Sequence, residues 1–207
     1  MNKYFASAVL AAVTSALTPD GKCRALVMSG GSNNGAWEAG VVWGLLHYGQ
    51  PEDFAWDTVS GVSAGSINTG GFATWATGTE LEFTEFLSES WAAMTNDQIY
   101  TLRSKNPIKD LFHEPSALDD SPAIATMNKI YGHTGGVIAR HFAISAVDAN
   151  TGDYHAMTDK NTKFEDLALS SMSSASIPVV FPGLSLNGNV NMDGGTVWNV
   201  NLDTAIQ

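Results

Sequence analysis

The sequence predicts an α/β protein. Short apolar runs that read as strands alternate with longer segments of helical periodicity. The 207 residues are 44% hydrophobic and only 15% charged, which predicts one globular domain with a sizeable core. Twenty glycines, several of them directly after apolar runs, predict tight turns and close backbone approaches.

Taken in order, "CRALVMSGG" (23–31) reads as a buried strand running into a glycine turn. "GAWEAGVVWGLLHYG" (35–49) reads as a helix. Trp37, Val41, Leu45 and Tyr48 recur on one of its faces, and Gly49 is its stop. "FAWDTVSGVS" (54–63) is a second strand, and "AGSINTGGFATWATG" (64–78) a helix of small residues able to pack closely on a sheet. "ELEFTEFLSESWAAM" (80–94) is an amphipathic helix. Residues 95–125, with Pro107, Pro115 and Pro122, read as irregular. "RHFAISAVDANTGDYHAMT" (140–158) is two strands joined by a polar turn. "FEDLALSSMSSASIP" (164–178) is a helix stopped by Pro178, "LSLNGNVNMDGGTVWNV" (184–200) a hairpin-like stretch, and "NVNLDTAIQ" the start of another helix. That last segment suggests that a C-terminal portion is missing.

The formal net charge is −11 with ten Lys and Arg in all, which argues against nucleic acid and against strong attraction to an anionic membrane. Neither argument excludes a neutral lipid. Lys3 followed by "YFASAVLAAVTSAL" reads as an N-terminal signal segment over 1–18, with small residues near Ala16 for cleavage. The chain is therefore expected to be exported, and residues 23–207 to form the mature domain. Cys23 is the single cysteine, so no disulfide can form within the chain, and "DGKC" lacks the small apolar residues of a lipidation site. No acidic or histidine spacing suits a metal.

Three stretches carry chemistry. The first is Gly61-Val62-Ser63-Ala64-Gly65, a G-x-S-x-G pattern between a predicted strand and a predicted helix. A sharp turn there exposes the serine hydroxyl, and the Ala64 N–H at the helix start can face an oxyanion. The plain alternative is a small-residue turn. The second is Asp193-Gly194-Gly195, where two glycines let the chain turn away from a carboxylate; alone it reads as an ordinary turn. The third is "SGGSNNG" (29–35). It lacks the Gly-Lys-Ser/Thr ending of a P-loop, and Ser32 stands where a dinucleotide fingerprint needs glycine, so an oxyanion loop is the remaining reading. His47, His113, His133, His141 and His155 occupy no distinctive loop, so a serine triad has weak support.

Together, the glycine turn after the first strand, G-x-S-x-G and the late Asp-Gly-Gly resemble the patatin-like phospholipase family over roughly residues 23–202. The family pattern Asp-Gly-Gly-Gly-x-Arg-Gly corresponds here to Ser29-Gly30-Gly31-Ser32-Asn33-Asn34-Gly35, without its aspartate, third glycine and arginine. The resemblance implies a three-layer α/β/α sandwich with a mostly parallel central sheet. It implies hydrolysis of lipid or phospholipid acyl esters by a Ser–Asp dyad, with transient membrane or micelle contact and no cofactor. Ser63 would be the nucleophile and Asp193 the base, with Gly30, Gly31 and Ser32 as oxyanion donors. Gly35, Gly61, Ala64, Gly65, Gly194 and Gly195 would complete the motifs. Two alternatives stand beside it: a lipid-binding relative without catalysis, motivated by the altered loop, and a less favoured nucleotide-binding domain.

Overall fold

A computed structural model describes residues 21–103 and 116–206. The signal segment expected at 1–18, His113 and two of the three prolines of the 95–125 stretch lie outside the described residues. Among the described residues there are eight strands: β1 (Ala25–Met28), β2 (Thr58–Gly61), β3 (Thr101–Leu102), β4 (Leu118–Asp119), β5 (His141–Asp148), β6 (Tyr154–Thr158), β7 (Leu184–Leu186) and β8 (Asn189–Asp193). The helices are α1 (Gly35–Tyr48), α2 (Ala64–Ala73), α3 (Glu80–Ala93), α4 (Ser121–Tyr131), α5 (Phe164–Ser174) and α6 (Leu202–Ile206).

Six strands form the main sheet, ordered β1-β2-β5-β8-β7 with β6 on β5. The strands that lead into the two early motifs are parallel: β1 pairs β2, and β2 pairs β5. The later strands add antiparallel pairs. β5 is shared unusually. Its residues 141–144 pair β2 and its residues 146–148 pair β8, while β6 spans 143–147. A strand has two edges, so β2 and β8 lie end to end along the edge opposite β6. The turn after β2, which carries Ser63, therefore meets the end of β8, which carries Asp193.

One face of the sheet carries α2, with α1 and α3 packed outward from it and α5 and α4 beside it. Alternation puts Val59, Phe142 and Ile144 on that face, where they join Phe72, Phe83, Leu167, Met127 and Tyr131 in the core. Each such burial contributes roughly 1.5–3 kcal/mol. The residues between them face the other way. Ser60 Oγ donates to the Asn201 carbonyl at 3.1 Å, and Asn201 Nδ2 donates to Ser145 Oγ, fixing the start of α6 over β1, β2 and β5. The α/β class, with helices on both faces of a central sheet, agrees with the expectation.

Several boundaries differ from the sequence reading. α2 ends at Ala73 and α5 at Ser174, each a few residues earlier than expected. The stretch read as irregular holds the β3–β4 pair and the start of α4, whose Pro122 sits in the first turn, where a missing N–H costs nothing. The α1 face marked by Trp37, Val41, Leu45 and Tyr48 is the more exposed one: Trp37 is 70% and Tyr48 85% accessible, while Gly35, Ala39, Val42 and Leu46 are buried. The helix has apolar residues all round, so periodicity could not choose a side. Close approach to α2 and α3 selects the stripe of smaller side chains.

Candidate active site

Ser63 is the N-cap of α2, with φ 52° and ψ −121°. This is strained backbone for a residue with a Cβ. Its surroundings hold it there. Ser63 N–H donates to Ser174 Oγ at 2.9 Å, and Ser174 Oγ donates to the Ser145 carbonyl at 2.6 Å, linking the turn to α5 and β5. Ser66 Oγ donates back to the Ser63 carbonyl at 2.5 Å and to the Ser171 carbonyl at 2.8 Å. Gly61 and Gly65 flank the turn, and a Cβ on Gly65 would lie 2.6 Å from the Met28 carbonyl oxygen, so α2 can meet the end of β1 only with glycine there.

Asp193 ends β8 and is buried, as is Ser63. Its Oδ1 accepts the Gly195 N–H at 2.7 Å, and Gly194 begins the 3₁₀ turn Gly194–Thr196 that follows. Burial pushes the Asp193 carboxyl above its ordinary pKa, and hydrogen bonds from the Ser63 hydroxyl and the Gly195 N–H oppose that in part. The structure thus brings the two expected residues together from opposite ends of the sequence.

The glycine-rich loop runs beside Ser63. A Cβ on Gly30 would lie 2.9 Å from Ser63 Cβ, so glycine sets how near the loop can come. Ser32 has φ 55°, the left-handed region that favours the glycine it replaces. The expected donors divide. Gly30 N–H donates to the Asn199 carbonyl at 3.3 Å, and Asn199 Nδ2 donates to the Gly30 carbonyl at 3.1 Å. The N–H groups of Gly31, Ser32 and Ala64 have no hydrogen-bond partner among the described residues. Of these three residues, Ser32 and Ala64 line the cavity beside Ser63.

A cavity of about 410 Å³ opens at Ser63, Ser32 and Ala64. Its walls are largely apolar, with Ile67, Met94, Ile99, Met172, Ile177, Phe181 and the indole of Trp91. Trp37 lies in a second recess of about 360 Å³, with Ser29, Gly30, Gly31, Asn34 and Glu38. Trp75 packs against the core and Phe86 rather than in either recess. None of the described histidines lines these cavities. Among the described residues there is no cluster of His, Cys, Asp and Glu able to hold a metal ion, and no helix is long and apolar enough to cross a membrane.

Ser174, Asn199, Asn68, Trp91 and Glu38 also shape the site, and the sequence reading passed over them. Their role arises from contacts distant in the chain, which no local pattern carries. Only Ser174, in a run of serines on a helix with an apolar face, had a signal: a polar stripe too buried to be solvated.

The structure is thus an α/β protein in which a serine on a strained strand-to-helix turn meets a buried carboxylate beside a glycine-rich loop. The chain belongs to the patatin-like phospholipase family, a family of lipid acyl hydrolases, whose model matches residues 26–206. No curated protein matches the sequence. Among solved structures, the chain is similar to VipD from Legionella pneumophila, at 12% identity and a TM-score of 0.45, over 86% of this chain and 46% of VipD. The chain thus spans about half the length of that protein.

Proposed function

We propose that the chain hydrolyses lipid acyl esters through a Ser63–Asp193 dyad. The observation that carries the reading is the Ser63 hydroxyl set against the Asp193 carboxylate at the mouth of an apolar cavity. Asp193 takes the hydroxyl proton as Oγ attacks the ester carbonyl, and the proton passes to the departing alcohol. The acyl group stays on Ser63 until water, deprotonated by Asp193, releases the fatty acid. The N–H groups of Gly31, Ser32 and Ala64 stabilise the oxyanion in both steps. The acyl chain occupies the cavity lined by Ile67, Met172 and Phe181. Contact with a membrane or micelle, and export directed by the N-terminal segment, belong to the same proposal.

A second reading is a lipid-binding relative without turnover. It is favoured by the Gly30 N–H, which is engaged by Asn199 rather than open to an anion. An alkyl fluorophosphonate probe separates the two. Hydrolysis predicts covalent labelling of the parent and none of Ser63→Ala. Absence of labelling in a folded parent that still binds lipid establishes the second reading.

A further inference from the structure

We propose that Glu38 is a positioning residue that holds the glycine-rich loop in its anion-binding shape; the inference rests on the hydrolytic reading above. Glu38 Oε1 accepts the Ser29 N–H at 3.0 Å and the Ser29 hydroxyl at 3.5 Å. Its Oε2 accepts Asn68 Nδ2 at 3.1 Å. Asn68 is fully buried on α2, the helix that Ser63 caps. Its Nδ2 also donates to the Gly35 carbonyl at 3.0 Å, and its Oδ1 accepts the Trp91 indole N–H at 2.8 Å. Both ends of the loop, Ser29 and Gly35, are thereby tied to the helix that carries the nucleophile.

The chemistry of the residue matters, not only its size. Three groups point at Glu38 and all three donate, so only an acceptor on both oxygens satisfies them. Glutamine would set its NH₂ against that of Asn68. Asn68 cannot rotate its amide to relieve this, because it would then present oxygen to the Gly35 carbonyl and NH₂ to the Trp91 N–H. The loop needs such a hold, since Ser32 occupies a left-handed conformation that a free loop would abandon. Glu38 does not line the cavity at Ser63, so a substitution there removes none of its apolar surface and reaches it only through Asn68 and the Trp91 indole.

The test is inactivation of the whole chain by an alkyl fluorophosphonate, with kinact and KI determined separately. Glu38→Gln is expected to lower kinact about 10- to 100-fold, the size expected for donors displaced by a fraction of an ångström to an ångström, with KI near the parent value. Glu38→Asp, too short to reach Ser29 and Asn68 together, is expected to do the same and serves if Glu38→Gln does not fold. Parent-like kinact in a folded Glu38→Gln overturns the inference and leaves the hydrolytic reading intact. Equal changes in kinact and KI with a lowered Tm also overturn it, as does failure of both variants to fold, since each assigns Glu38 to general stability. A folded parent that does not label overturns the hydrolytic reading and this inference with it.

Discussion

Ser63 and Asp193 each occupy a position that costs the fold something. Ser63 carries a positive φ, and Asp193 carries its carboxyl in a buried site that favours the neutral form. Because the folded pKa of Asp193 is raised, its contribution to stability is fully present below the unfolded value near 3.8 and is lost as pH rises through the folded value. Asp193→Asn should therefore raise Tm at neutral pH, with the difference from the parent closing at low pH, as followed by thermal melts across pH. The same variant should lose roughly 10²–10⁴-fold in ester hydrolysis, because the amide cannot take the Ser63 proton. For the parent, hydrolysis should fall on the acid side through a pKa above that of an ordinary aspartate, which a kcat/KM–pH profile would locate. Ser63, Asp193 and the flanking glycines were legible in the sequence because their motifs are local. Asn199 and Glu38 were not, because an asparagine in a late turn and a glutamate in an apolar helix acquire meaning only from partners that the fold delivers.

The short β1, β2 and α2 do much of the positioning. α2 is made of small residues, so it approaches the sheet closely, and Gly65 is its point of contact with the end of β1. Gly65→Ala would push a methyl group into the Met28 and Ser29 carbonyls, at 2.6 and 2.7 Å, and neither can yield without moving β1. A loss on the order of 1–3 kcal/mol is expected in urea unfolding, with a larger proportional loss of labelling at Ser63, since the turn moves with the helix. The sequence disclosed these elements through their strand–glycine–helix rhythm. It hid the orientation of α1, whose residues are apolar on all sides. It also hid α4, whose opening proline reads equally as a break and as a first turn.

The molecule as a whole is fastened by a buried ion pair away from the site. Arg140 Nη1 lies 2.8 Å from Glu80 Oε1, with the two side chains 0% and 4% exposed, and the guanidinium also donates to the carbonyls of Trp56, Trp75 and Ala76. Burial lowers the Arg140 pKa, and Glu80 works against that. Glu80→Ala leaves a buried cation without its partner and should cost about 3–5 kcal/mol in urea unfolding, whereas the double change Glu80→Gln with Arg140→Met should recover only part of it, because the carbonyls of Trp56, Trp75 and Ala76 then lose their donors. Little of this was visible beforehand: two charged residues sixty positions apart in a chain poor in charge carry no spacing that marks them as a pair. The overall class was visible, because alternating strands and helices admit few topologies. The divided edge of β5 has a further consequence for how the molecule comes into being. The turn that carries Ser63 docks on the first half of that edge through β2, while Asp193 arrives on the second half through β8, a strand much later in the chain. On the proposed chemistry, the serine stays inert in any state in which β8 has not docked on β5, because its base is then absent. Activity is thereby tied to the assembly of the sheet itself, so a partly folded chain would spare the lipids around it.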